Sequence, residues 1–245
     1  MPETNDSPLA PYRWSAGHDY LTLCGLDDPS TVHLFGGRRL PSAADLPGVR
    51  SAVKVRQVHG CGVIQIDDRM LSGMPEGDAV MTDRPDILVT VETADCTPIL
   101  LFDPVRPAVA AIHAGWRGTV ANIAATTVAA MTAAYGSDPA MIRAGIGPTI
   151  GGCCYEVGPE VWEAVAEKYP DDHEAIIHPD SEADKKARLD LVRLNASQLA
   201  RAGVPPAQIT AADLCTACHR DHFYSYRRDA GRVGRHISGI LLKRT

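Results

Sequence analysis

No apolar run in the 245-residue chain approaches the ~20 residues needed to cross a bilayer. The opening residues, Met1 to Pro8, are polar and acidic and lack the basic and apolar regions of a signal peptide, so a cytoplasmic location is expected. Positive charge is not in excess either: 24 Lys and Arg face 30 Asp and Glu, a net charge of −6. That balance lacks the electrostatic footprint of a nucleic-acid binder and makes anionic membranes poor partners. No repeat, low-complexity block or Pro/Ser-rich linker divides the chain. Residues 1–15 read as a loose arm and 16–245 as a single domain. Cysteine is present in an odd number, seven, too scattered for a small disulfide-stapled scaffold. In a reducing compartment these residues are expected to be buried thiols, metal ligands or catalytic groups.

What is there is ordinary globular material, 45% hydrophobic and 22% charged, which excludes wholesale disorder. Alternation from Ser51 to His59 predicts a strand, with a turn near Gly60 and a second strand over Cys61–Asp67. Gly77–Asp83, Ile87–Val91, Ile99–Phe102 and Val109–Ile112 are further short strands. Thr119–Tyr135 contains no Gly or Pro, is rich in Ala and ends at Gly136, so it predicts one helix. Met141–Ile146 reads as a strand entering the turn-rich Gly147–Gly152. Helices are expected from Pro159 to about Tyr169 and over Leu189–Ala202, with last strands at Ile209–Leu214 and Phe223–Tyr226. Residues 171–185 read as an acidic, exposed stretch. Strands and helices interleave without a regular βαβ beat, so the expected fold class is α+β, with mixed β-sheets layered with helices.

Three polar residues stand where apolar strands end: His59, Cys96 and His113. Imidazole and thiolate are ligands that zinc prefers, and three protein ligands leave a fourth position open. A site of that kind lowers the pKa of bound water from 15.7 to about 7. The spacing by itself matches no standard zinc pattern, and isolated His and Cys are commonly structural.

The surrounding strings add to this. Arg56-Gln57-Val58-His59-Gly60, Thr93-Ala94-Asp95-Cys96, His113-Ala114-Gly115-Trp116-Arg117-Gly118-Thr119, Gly145 to Gly151, and Tyr224-Ser225-Tyr226-Arg227-Arg228-Asp229 occur in order. Together they resemble the YfiH/laccase-domain family, also called the multicopper polyphenol oxidase or purine nucleoside phosphorylase family, over about residues 50–240. The resemblance implies a YfiH-like fold and one catalytic zinc site held by His59, Cys96 and His113. It also implies phosphorolysis of adenosine, inosine and 5′-methylthioadenosine together with adenosine deamination. Two other labels attach to such proteins: polyphenol oxidase, which would make copper the cofactor, and editing of peptidoglycan precursors. A four-copper oxidase needs several His-rich clusters. Nine histidines and one convincing three-residue site provide too few.

Each activity makes its own demands. In deamination, water activated at the metal attacks C6 of adenine while a carboxylate moves the proton to the departing ammonia. Asp95 and Glu92 are the nearest candidates, although Asp95 serves equally as a cap of the following turn, facing away from Cys96 unless the strand bends. Phosphorolysis needs an anion clamp, for which Arg117 and Arg227 are candidates, since guanidinium meets phosphate bidentately. Either arginine is as readily a solvated surface group. A separate possibility uses Cys96 as nucleophile and His113 as base in an amide hydrolase. The partners expected are thus a nucleoside and phosphate, and the chain itself a monomer or small homo-oligomer.

Weaker signals remain. Cys215-Thr216-Ala217-Cys218-His219 matches the C-x-x-C-H pattern of haem attachment, which would require export. The resemblance favours a packing role for Cys215, and adjacent Cys153 and Cys154 are expected to be buried thiols. Trp116 suits either stacking on a purine or packing on the sheet. His18, His33, His173, His178, His222 and His236 have no ligand-like company. Compared with the family pattern, the segment between Val32–Arg38 and Ser51 is short, which removes part of a lid or substrate wall.

Overall fold

A computed structural model describes residues 10–17, 19–40, 49, 51–66, 74–171, 177–181 and 186–244. In chain order the elements are β1 (Tyr12–Trp14), β2 (Tyr20–Leu23), β3 (Thr31–Gly36), β4 (Ser51–Lys54), β5 (Val63–Gln65), β6 (Ala79–Thr82), β7 (Ile87–Thr93), β8 (Thr97–Asp103) and β9 (Ala108–Ala114). Then come α1 (Trp116–Val120), α2 (Ile123–Tyr135), β10 (Arg143–Ile146), β11 (Glu156–Val157), α3 (Pro159–Lys168), β12 (Ile177–Ser181), β13 (Lys186–Leu189), α4 (Leu191–Arg201), β14 (Ile209–Ala211) and β15 (His236–Leu242).

The strands form two six-stranded mixed sheets, ordered β1-β2-β3-β15-β7-β4 and β14-β10-β8-β9-β6-β5, beside a small sheet, β11-β13-β12. Side chains alternate faces along a strand, and the burial follows that period. Leu100 and Phe102 of β8 and Val109 and Ala111 of β9 point inward, where they meet Val89 and Val91 of β7 and Phe35 of β3. Ile99, Leu101, Ala110 and Ile112 face the other way and are covered by Ile123, Val128 and Met131 of α2 and by Leu199 of α4. Because β8 and β9 are covered on both faces, every residue in them is buried. This explains why they read as continuous apolar runs rather than as alternating strands. The result is a single domain of mixed sheets with a few helices, as the sequence implies.

Several expectations shift in detail. Of the 1–15 arm, residues 1–9 lie outside the described residues, while Tyr12–Trp14 is an edge strand paired antiparallel with β2. It is held because Tyr12 and Trp14 pack against the inner core. The helix expected over 119–135 is two helices, broken where Asn122 takes a left-handed φ of 69°, a conformation short polar side chains tolerate. Phe223–Tyr226 is irregular, with a turn starting at Tyr226, instead of a strand; the Ser225 hydroxyl and the Arg227 backbone N–H go to the Asp95 carboxylate and not to a ladder. Strand β15 at the centre of the first sheet, between β3 and β7, had no counterpart in the sequence reading. The stretch 171–185 falls mostly outside the described residues, with a backbone strand at Ile177–Ser181. His18 and His173, and residues 41–48 of the shortened segment, also lie outside them.

Candidate metal centre and cleft

Two of the three proposed ligands are positioned by one hairpin. In the β8–β9 register Thr97 pairs with Ala114 and Pro98 with His113, which sets Cys96 at the mouth of the pair next to His113. The β7–β8 turn that delivers Cys96 bends at Asp95, whose φ is 85°. His59 arrives separately, on the loop after β4, also with a positive φ of 60°. It is therefore a loop residue and not the end of a strand. The ligand atoms of His59, Cys96 and His113 all lie within 4.8 Å of one another. The two imidazoles stand edge to face, 4.8 Å apart at 87°.

Asp78, which sequence reasoning missed, organises this group. Its buried carboxylate lies 2.8 Å from His113 Nδ1 and accepts the backbone N–H groups of His59 (2.9 Å) and Gly60 (2.7 Å). The Asp78 carbonyl also accepts the His113 N–H, at 2.7 Å. One residue thus orients both histidines, leaving His113 Nε2 for the cluster. Metal-binding imidazoles commonly have such a partner on their other nitrogen. The only sequence signal was an acid at the start of an apolar strand.

The electrostatics follow. Burial opposes charge on His113, but hydrogen bonds with Asp78 and Cys96 overcome it and raise its pKa to about 9. Burial likewise opposes the Cys96 thiolate, yet the hydrogen bonds of His113 and His59 bring it down to about 6. Asp78 is held below the usual carboxylate range, burial being outweighed by His113 and the loop N–H groups. Gly115 completes the arrangement: a Cβ there would stand 3.1 Å from Cys96 Sγ and 3.1 Å from His59 Cδ2. A thiolate and two convergent imidazole nitrogens, backed by a buried carboxylate, are a donor set that fits a borderline transition ion.

The cluster lies in a cleft of about 720 Å³, which also takes in Glu92, Asp95, Arg117 and Arg227. Asp95 is almost wholly buried, and its carboxylate accepts from Thr216 Oγ1 (2.6 Å), Ser225 Oγ (3.0 Å) and the Arg227 N–H (2.7 Å). Its carbonyl accepts from Thr149 Oγ1 and the Ile150 N–H. Asp95 therefore knits the loops of the cleft wall together, with all these donors already on it. Glu92 is half exposed and pairs with Lys54 at 3.1 Å. Arg117 is exposed and lies over the Trp116 ring at 4.2 Å, so Trp116 both packs on the fold and carries the arginine. Arg227 lies over Tyr155, 5.1 Å from its centroid. Arg235, Tyr155 and Tyr226 line the same cleft and were not anticipated.

The chain is similar to known proteins over most of its length. Residues 22–243 match the family model described as multi-copper polyphenol oxidoreductase laccase, and the chain belongs to that family. A purine nucleoside phosphorylase from Bacteroides thetaiotaomicron is 37% identical over 194 residues, covering 76% of this chain and 71% of that protein. Adenosine deaminase RL5, from an unknown prokaryotic organism, is 38% identical over 78% of this chain and 75% of its own length. Among solved structures, YlmD from Geobacillus stearothermophilus superposes with a TM-score of 0.86 at 26% identity, covering 96% of this chain and all of that one. Bacillus licheniformis YfiH superposes with a TM-score of 0.80 at 29% identity, over 95% and 99% of the two chains. Among the described residues no helix is long and apolar enough to cross a membrane.

Proposed function

We propose that the protein is a zinc-dependent enzyme acting on purine nucleosides, cleaving the glycosidic bond with phosphate and deaminating adenosine. The observation that carries this reading is the convergence of His59, Cys96 and His113, oriented by Asp78, in a cleft bordered by arginines. The names of the similar phosphorylase and deaminase support it. When bound there, zinc supplies a Lewis acid that makes water acidic enough to ionise near neutral pH.

The chain's own residues do the rest. Arg117 and Arg227 present guanidinium groups that hold phosphate and orient it toward the sugar. Tyr226, 55% exposed, and Met74, 52% exposed, offer apolar surface where a flat purine ring can lie. Glu92 is the proton carrier of this scheme, being half exposed and engaged only at its rim by Lys54, whereas the Asp95 carboxylate holds the cleft wall in place. The polyphenol oxidase reading fits less well: among the described residues, only one group with metal-ligand geometry contains histidine, and a multicopper centre needs several.

A second reading has a specific observation behind it. The Cys96 thiol lies within 4.8 Å of a ring nitrogen of each imidazole, which bring its pKa down to about 6, and this is also how a nucleophilic cysteine is activated. The test is to incubate zinc-replete and chelator-stripped protein with adenosine, with and without phosphate, and separate the products. Adenine formed only with phosphate, and inosine formed in either case, both lost on stripping, are the expected results. Full activity without metal would transfer the chemistry to Cys96. Unchanged adenosine throughout would overturn the nucleoside reading.

A further inference from the structure

A second group of ligands lies away from the cleft's cluster. Cys153, Cys154, Cys215 and Cys218 are far apart in sequence as two pairs, yet their four Sγ atoms all lie within 4.8 Å of one another. The separations are 3.7 Å for Cys153–Cys154, 3.6 Å for Cys153–Cys218 and 3.4 Å for Cys154–Cys218. A tetrahedral ion with Zn–S bonds of about 2.3 Å has S···S edges of about 3.8 Å. Three of the thiols thus already mark one face of such a tetrahedron, with the more deeply buried Cys215 as the fourth vertex. Thiolates around an iron–sulfur cluster stand farther apart than those around one ion, so the spacing selects a single metal.

The backbone is arranged for the same purpose. The Gly151 N–H points at Cys215 Sγ, 3.3 Å away, the contact that stabilises a ligating thiolate. A Cβ on Gly151 would crowd both Cys153 Sγ (3.3 Å) and Cys215 Cβ (3.3 Å). A tight turn, with the Cys154 and Tyr155 N–H groups both on the Gly151 carbonyl, presents the adjacent pair. Arg188 donates to the Cys153 carbonyl, and Arg228 to the carbonyls of Thr216 and Ala217, so each ligand segment is fixed by a cation. The expected burial of Cys153 and Cys154 fails, since Cys153 is exposed and Cys154 half-buried, whereas Cys215 is buried as its packing role implies. Core packing accounts for Cys215 but not for the exposed Cys153 and Cys218 gathered beside it.

We infer that Cys153, Cys154, Cys215 and Cys218 form a second metal site, a closed four-thiolate site for one zinc ion that staples the Gly151–Tyr155 turn to the Cys215–Cys218 turn. Binding displaces the four thiol protons to solvent and involves no change of oxidation state. The staple has a purpose in the architecture. One of its segments carries Ile150 and Tyr155 into the cleft wall, and the other carries Thr216 to the Asp95 carboxylate. A four-cysteine site with no open position is structural, so its role is to hold that wall rather than to react.

The experiment counts metal in the purified full-length chain after zinc-replete expression. Two equivalents are expected in the wild type, one in Cys153→Ser/Cys218→Ser and one in His59→Ala/His113→Ala. Cobalt substitution of the histidine double variant should show the intense thiolate-to-cobalt charge transfer of an all-sulfur tetrahedral site. Alkylation followed by peptide mapping tests the wild type without any variant having to fold. Cys153, Cys154 and Cys218 should be protected in zinc-loaded protein and labelled after chelation. A wild type with a single equivalent that is lost in the histidine variant would overturn the inference. So would labelling of those three cysteines in the zinc-loaded chain, or a disulfide among the four. None of these outcomes bears on nucleoside turnover, so this site stands or falls separately from the reading of the cleft.

Discussion

The carboxylate of Asp78 lies 2.8 Å from Nδ1 of His113, with the two side chains 0% and 3% exposed. A contact that deep fixes the ring's orientation, and the same carboxylate closes on the loop that carries His59. Replacing Asp78 by Asn keeps the size but puts an N–H₂ group where backbone N–H groups now donate. Losing such a partner typically costs about 10–100-fold in metal affinity. Competition against a chromophoric chelator should show a loss of that size for Asp78→Asn, and wild-type affinity would show that Asp78 orients nothing.

Gly115→Ala tests the space inside the cluster. Its Cβ would press on Cys96 Sγ and His59 Cδ2 at 3.1 Å, closer than most real contacts of that atom. Gly115 precedes α1 with φ −71° and ψ 166°, which alanine adopts freely, so backbone strain does not enter. Metal content should fall while the circular dichroism spectrum stays unchanged; full occupancy would mean the site has more room than these distances allow.

Arg117→Ala and Arg227→Ala separate the two proposed activities. A charge-assisted hydrogen bond contributes about 1.5–3 kcal/mol, so the KM for phosphate should rise roughly 10–100-fold. Inosine formation requires no phosphate and should change little. Equal losses of both activities would place these arginines on the nucleoside.

Stability should fall in mild acid. Burial drives the pKa of His33 down to about 4, and burial aided by Arg38, Arg228 and Arg235 does the same for His236. Each ring is buried and accepts a backbone N–H, from Leu23 at 2.9 Å and from Tyr224 at 2.7 Å. The unfolded chain takes up these protons near pH 6.5 and the native chain only near pH 4, so stability declines as pH falls between those values. At pH 5 the loss is about 2 kcal/mol per histidine. Urea denaturation of metal-stripped wild type and His33→Gln at pH 7.5 and pH 5 separates this loss from that of the Cys96–His113 pair, and an unchanged pH dependence in the variant would contradict the assignment.

The grouping of His59, Cys96 and His113 was legible because each residue sits in its own distinctive string, with two of the strings ending apolar strands. Asp78 was not legible: a lone acid before a strand has no local mark of its role, which arises only when β6 pairs with β9 and brings it under His113. Asp95 was ambiguous for a similar reason. Period-2 alternation could not foresee the positive φ that turns it into Thr216, Ser225 and Arg227, residues about 120–130 positions later. The break at Asn122 escaped helix propensity because no Gly or Pro marks it, and α1 before it packs tightly on the His59 loop. There a Cβ on Gly118 would come within 2.7 Å of the Gly60 carbonyl. The four-cysteine group was hidden as two pairs read separately, which come together where Thr149 and Cys215 meet in a parallel bridge.

The three proposed ligands of the cleft are not held with equal firmness. Cys96 and His113 belong to one hairpin whose register cannot slip without turning a fully buried strand pair inside out. His59 is exposed, on a short loop that Asp78 clasps through backbone N–H groups. On the proposed reading, Cys96 and His113 would offer an ion two ligands already in place, and His59 would complete the set. Exchange of such an ion would then depend on release of the Val58–Gly60 clasp, and ion residence time would report on it.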